Sequence, residues 1–290
     1  MAARTRRPRP ALPRRFVPVE RRAEIADLAE AVAEEHSPAL PVAPERIAAA
    51  KGITLSFGRY GQAFDGMLEH RGGRFHIYGN LDRVGERASP RARFTLAHEL
   101  GHYYLDEHRN ALAAGRVPAH GSQCDHESPI LAEQEADLFA ACLLMPAGRF
   151  APKAKAVAPG LAGVRKLTDA FGTSRTATAI RYAECDAAPC AVIKWDRTGV
   201  AWKCLSSGAM QLRLGRTVET PAQLAPGSPT ARALAGEAPP EEGFFQAGTV
   251  AAAWFRRVRP GDFRDVVLLE QAAPLGRWGV LTLLLPEGRR

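Results

Sequence analysis

His98-Glu99-Leu100-Gly101-His102 constrains this chain more than any other stretch of its sequence. Two histidines four residues apart project from one helix face, where their imidazoles can bind a single metal ion. Glu99 lies beside them, placed to take a proton from a water that such a metal activates. The flanking residues agree with a helix. Ser89-Pro90 supplies an N-cap and a proline at the first helical position, and Phe94-Thr95-Leu96-Ala97 leads straight into the motif. An HExxH also arises by chance on ordinary amphipathic helices, so the rest of the chain has to decide.

At 290 residues the chain has room for two or three small domains, and its 46% apolar and 24% charged content is that of a globular protein. Its longest apolar run, Leu281-Thr282-Leu283-Leu284-Leu285, is strand-sized, which predicts no membrane span. No apolar segment follows the basic N-terminal residues, so no secretory signal is expected. The five cysteines, Cys124, Cys142, Cys185, Cys190 and Cys204, form no CxxC pair and leave one over. That predicts reduced thiols and a cytoplasmic protein.

The net charge of +8 is concentrated at one end. Residues 1–22 hold Arg4, Arg6, Arg7, Arg9, Arg14, Arg15, Arg21 and Arg22 against Glu20, a balance of +7, so the remainder is close to neutral. Pro8, Pro10, Pro13 and Pro18 break this segment, which reads as a disordered basic tail. It is either a solvated extension or a non-specific nucleic-acid tether.

Periodicity predicts a helix over Ala23–Glu35, with Ile25, Leu28 and Val32 on one face, and a second over Pro44–Ala50. A strand at Ile53–Phe57 and a hairpin of Met67–His70 with Arg74–Tyr78 follow. A strand just before the motif helix suits a peptidase, because an exposed edge holds an extended substrate by backbone pairing. Ser128-Pro129 repeats the capping signal and opens a helix to Leu144, stopped by Pro146. Gly160–Glu184 reads as a small helical unit. Beyond Cys190 the pattern turns strand-like, at Ala191–Trp195, Val200–Trp202, Val266–Leu269 and Val280–Leu285, with Pro221–Glu242 expected as a mobile loop.

A catalytic zinc takes three protein ligands and keeps a position open. The helix after Ile130 offers two carboxylates. Glu135 falls inside the apolar stripe of Leu131, Leu138, Phe139 and Cys142, where a carboxylate is costly without a cation, and is the expected ligand. Glu133 is the alternative, since Asp137 at its i+4 would then support a zinc histidine. His108 matches three-histidine sites in spacing, but Leu105 stands where those sites need glycine, so His108 is expected at the surface. His120, Cys124 and His126 crowd one loop, either as ordinary exposed residues or as a second metal site.

Taken together, His98–His102 and Glu133-Gln134-Glu135-Ala136-Asp137-Leu138-Phe139-Ala140-Ala141-Cys142-Leu143-Leu144-Met145-Pro146 resemble the ImmA/IrrE family of metallopeptidases over roughly residues 23–150. The resemblance implies a zincin-like α+β domain with Glu135 in the third-ligand place. The domain order is similar to that of the family's radiation-response regulators. It implies a basic tail (1–22), the metallopeptidase domain (23–159), a helix-turn-helix unit (160–187) and a GAF-like sensor domain (188–290). Leu167–Ala177 reads as helix, glycine turn, serine N-cap and second helix.

By the same resemblance, the protein cleaves a helix-turn-helix transcriptional repressor of the DdrO type after radiation or DNA damage, derepressing repair genes. Zn2+ or Mn2+ is the expected metal, with Glu99 as general base and His98, His102 and Glu135 as ligands. A small-molecule or redox signal is expected at the C-terminal domain, where Cys185, Cys190 and Cys204 read as buried thiols or as a redox sensor. Two rivals stay open: a DNA-binding transcription activator with a structural metal, and an inactive peptidase fold. Against DNA binding, the second helix of the pair offers only Arg175 and Arg181 as basic groups. Against an inactive fold, a structural site has no use for Glu99.

Overall fold

The computed structural model describes residues 17–116, 121–122, 130–211, 217–218, 224–256 and 266–287. It divides into two compact units, Met1–Pro146 and Ala147–Arg290. Both mix helices and sheet, so the α+β class holds.

The first unit opens with α1 (Val19–His36) and α2 (Pro44–Ala50). Strands β1 (Thr54–Gly58), β2 (Gly66–Arg71) and β3 (Arg74–Asn80) follow, then the short α3 (Leu81–Val84). The motif helix α4 (Pro90–Tyr104) leads into α5 (Asp106–Ala113), β4 (Gly121–Ser122) and α6 (Leu131–Leu144). The sheet order is β1-β3-β2-β4, with β1 parallel to β3 and the other pairs antiparallel. The strand nearest the motif helix in sequence, β3, is therefore interior and not the exposed edge expected of it. It is flanked because β1 pairs with it from Thr54↔His76 to Gly58↔Asn80 on the side away from the hairpin. Leu96 and Leu100 of α4, Phe139 and Leu143 of α6, and Leu68 and Ile77 of the sheet are buried together.

The start of α4 is fixed locally. Ser89 Oγ accepts from the Ala92 amide at 3.0 Å and Pro90 needs no partner for its nitrogen, as the sequence predicts. The corresponding Ser128-Pro129 signal before α6 lies outside the described residues, as does the tail through residue 16. The end of the expected disordered tail is instead the first turn of α1, which starts at Val19 and is held through Arg21.

In the second unit, α7 (Ala147–Ala156), α8 (Leu161–Phe171) and α9 (Arg175–Glu184) precede the strands. Gly172, with φ +61°, ends α8, and Ser174 caps α9 through the Ala177 amide at 3.1 Å. Then come β5 (Ala191–Asp196), β6 (Gly199–Leu205), α10 (Ser207–Gln211), β7 (Thr217–Val218), α11 (Pro229–Leu234), β8 (Phe245–Val250), α12 (Ala251–Trp254), β9 (Phe255–Arg256), β10 (Val267–Pro274) and β11 (Val280–Pro286). An antiparallel sheet of order β6-β5-β11-β10-β8 forms the body, and β7 pairs separately with β9.

Two features depart from the sequence reading. The stretch expected as a mobile loop carries α11, whose Ser228 accepts from the Ala231 amide beside Pro229, the same signal that starts α4. Strand β8 was not expected, because only Phe245 of its residues is buried and the rest face outward at the sheet edge. Among the described residues no helix is long and apolar enough to cross a membrane.

Candidate metal centre

Helices α4 and α6 pack side by side. Gly101 permits their approach: a Cβ there would lie 3.1 Å from Ala136 Cα and 3.2 Å from its carbonyl oxygen. The glycine inside the HExxH motif is thus a packing requirement of the site.

That approach brings one carboxylate of α6 onto both motif histidines. His98 Nε2 lies 3.2 Å from His102 Nε2 and 3.2 Å from Glu133 Oε2, and His102 Nε2 lies 3.4 Å from Glu133 Oε1. All three side chains are buried. Ligand atoms about 2.0–2.1 Å from one tetrahedral ion sit about 3.3 Å from each other, so the three separations fit a single zinc-sized cation. Among the described residues, these three form the group whose donor atoms all lie within 4.8 Å of one another.

The orientation of His98 comes from Asp137, whose Oδ1 lies 2.9 Å from Nδ1. This carboxylate–histidine contact places the ring proton on Nδ1 and turns Nε2 toward Glu133. Burial works against charge on His98, but the hydrogen bonds to Asp137 and Glu133 outweigh it and raise the imidazole to about 10. A metal ion binding at Nε2 would take the place of the proton on that nitrogen, with Nδ1 still held by Asp137.

Glu135, the expected third ligand, is turned elsewhere. Its Oε2 lies 3.0 Å from His108 Nε2, and its Oε1 accepts from Arg21 Nε at 3.2 Å. The physical demand read from the sequence, a cation for a carboxylate on an apolar stripe, is met by Arg21 of α1. His108 is likewise not at the surface. Leu105 ends α4 in an extended conformation, α5 starts at once, and His108 is tucked back with its Nδ1 3.2 Å from His102 Nδ1. Burial and the neighbouring His102 lower its proton affinity.

Glu99 is buried on α4 facing the start of β2. A Cβ on Gly66 would meet Thr95 Cγ2 and lie 2.9 Å from Glu99 Oε1, so glycine at this point lets the strand pass directly over the carboxylate. Ser122 of β4 pairs opposite Gly66. Tyr103 and Tyr104 take packing roles, Tyr103 edge-on to Phe75 and Tyr104 stacked on Phe139. No oxyanion-stabilising group stands out among the described residues. His120, Cys124 and His126 lie outside them.

In the second unit, burial pushes the Cys190 thiol up to about 12 and the Cys204 thiol up to about 11, and raises Cys185. Thiols held protonated in this way are poor nucleophiles. Of the two basic groups on α9, Arg181 lies 3.6 Å from Glu184, and the helix buries Thr178, Ala179, Tyr182 and Ala183 within its own unit.

No curated protein matches the chain. Among solved structures, a Mycobacterium tuberculosis transcriptional regulator shares the fold, with a TM-score of 0.55 at 13% identity over 91% of this chain and 76% of that one. Residues 84–182, from the end of α3 through both helices of the site and into α9, match the IrrE N-terminal-like domain of the M78 peptidases.

Proposed function

We propose that the chain is a zinc-dependent metalloendopeptidase in which His98, His102 and Glu133 hold the metal and Glu99 moves the proton. The observation that carries this reading is the convergence of the two Nε2 atoms, 3.2 Å apart, on the Glu133 carboxylate, whose oxygens lie 3.2 and 3.4 Å from them, with Glu99 on the same helix. A divalent metal at these donors supplies Lewis acidity toward the scissile carbonyl and the attacking water. Zn2+ suits the two imidazoles and one carboxylate, and Mn2+ is the alternative in the cell.

The chain's own residues do the rest. Asp137 holds His98 in one tautomer, and Gly101 lets α6 deliver Glu133. Glu99 takes the water's proton during attack and returns it to the leaving amine, so its carboxylate serves as base and then as acid. The glycine of β2 lets the strand pack directly against the base.

The substrate proposed is a helix-turn-helix transcriptional repressor of the DdrO type, cut in the cytoplasm during the response to radiation and DNA damage. The resemblance of the motifs to the ImmA/IrrE family and the peptidase-domain match support this class of target. Residues 160–187 would serve as the helix-turn-helix unit and 188–290 as a GAF-like sensor. A second reading, a DNA-binding transcription activator with a structural metal, draws on the regulator that shares the fold. The pairing of Arg181 with Glu184 weighs against it.

Purified protein, with and without metal, is incubated with helix-turn-helix repressors of its own organism beside a Glu99→Gln variant. One discrete metal-dependent cut, lost in the variant while metal binding persists, is the expected result. Specific retention of promoter DNA with no cut under either metal would move the assignment to the second reading.

A further inference from the structure

Each motif histidine has its outer ring nitrogen engaged, but in different ways. His98 meets a carboxylate directly, whereas His102 meets a second histidine. His102 Nδ1 lies 3.2 Å from His108 Nδ1, His108 Nε2 lies 3.0 Å from Glu135 Oε2, and Arg21 Nε donates to Glu135 Oε1 at 3.2 Å. The proton positions along this chain follow from its ends. Glu135 is ion-paired to Arg21 and only accepts, so His108 Nε2 donates to it, and in the neutral ring Nδ1 is left as the acceptor. His102 Nδ1 then carries the proton, and its Nε2 keeps a lone pair directed at Glu133 and His98 Nε2.

We propose that His108 is a positioning residue for His102, and that Glu135 acts through it as an anchor and not as a metal ligand. The relay rests on the assignment of His98, His102 and Glu133 as the metal site. It gives His102 what Asp137 gives His98: one tautomer and one ring orientation. It also joins three elements, α1, α5 and α6, to a single ligand on α4. Arg21 extends the connection by donating to Glu107 at 2.9 Å and Glu24 at 3.2 Å.

The test is zinc affinity, measured by chelator competition on the full chain, together with the 15N shifts of the His102 ring. His108→Leu fills the space without hydrogen bonds and is expected to weaken zinc by about 10–100-fold. His108→Gln offers a carbonyl to His102 and an amide N–H to Glu135, and is expected to hold zinc within a few-fold of the parent. Glu135→Ala, which leaves the His108 ring in place without its anchor, is expected to weaken zinc in the same direction and loosen the His102 tautomer preference. It decides the matter should His108→Leu not fold.

Parent-like affinity in His108→Leu, or equal losses in the leucine and glutamine variants, would overturn the relay. Glu133→Ala separates the two assignments. If it binds zinc as tightly as the parent while Glu135→Ala does not bind, the metal site itself has been assigned wrongly. If Glu133→Ala loses zinc and the His108 variants do not, only the relay falls.

Discussion

Both units bury polar side chains, yet they resolve the cost in opposite ways. In the second unit the buried groups close on one another. Thr230 Oγ1 and Thr282 Oγ1 are 2.7 Å apart, Trp195 Nε1 donates to Thr282 Oγ1 at 2.9 Å, and Glu270 Oε1 accepts from the Thr230 amide at 2.7 Å. Gln271 Oε1 accepts from the Leu161 amide at 2.7 Å. Such a network, with neutral donors and hydroxyls, fixes a core and leaves nothing for a ligand to complete. Around α4 and α6 the buried groups converge: two imidazole nitrogens and a carboxylate face one point. Convergence of lone pairs is unfavourable unless a cation or a proton sits among them. A buried polar cluster therefore reads as functional when its donor atoms converge on one point, and as structural when they pair off along a chain.

The sharpest break of this contrast is metal dependence. Zinc in hundredfold excess over its dissociation constant is expected to stabilise the protein by about 2.7 kcal/mol, and Glu133→Ala to abolish the effect. Scanning calorimetry with and without zinc reads it directly, and an unchanged shift in the variant would sink the site assignment.

Gly101→Ala comes next. Its Cβ would press on the backbone of Ala136, which cannot swing aside, so a loss of about 1–3 kcal/mol is expected. Weakened zinc binding should accompany the loss, because α6 carries Glu133. Denaturant unfolding and chelator competition on the same variant would show whether the two losses travel together.

Thr282→Val probes the closed network. It removes the acceptor of Trp195 and the partner of Thr230, for about 1–3 kcal/mol, and zinc affinity should not move. A change in zinc affinity here would erase the distinction between the two clusters.

The smallest expected effect concerns Glu270, whose carboxyl is raised above its ordinary value of 4.5, chiefly by burial. The folded state then holds the proton more tightly than the unfolded state. Stability from this group is full below 4.5 and declines as pH rises through the raised value. Glu270→Gln should flatten that slope in thermal unfolding between pH 4 and 7 (about the range where carboxyls titrate). An unchanged slope would assign it to another group.

Much of the fold was legible. The serine–proline caps, the hairpin at Met67–His70 and Arg74–Tyr78, and the apolar runs of β5, β10 and β11 rest on local chemistry and period. Strand β8 was not legible, because an exposed edge strand lacks alternation. Helix α11 was hidden by composition, although Ser228-Pro229 carried its signal.

At the site, the apolar stripe asks for a cation at Glu135, and Arg21 pairs with it. What could not be read was which partners it takes, because Arg21 and His108 come from helices 114 and 27 residues away in sequence. The i,i+4 relation of Glu133 and Asp137 was the available clue: Asp137 on His98 and Glu133 on both histidines put that face of α6 against α4.

By itself, then, the sequence determined the chemistry: two imidazoles and a base on one helix, and a second helix rich in carboxylates. Those follow from residue type and a period of 3.6, which are local properties. Only the tertiary structure decided which carboxylate joins them. That choice depends on the rotation of α6 about its axis, set where α1 covers one side of it and where Gly101 meets Ala136 on another. Rotation of a packed helix is a sum of distant contacts, and no window of sequence contains it.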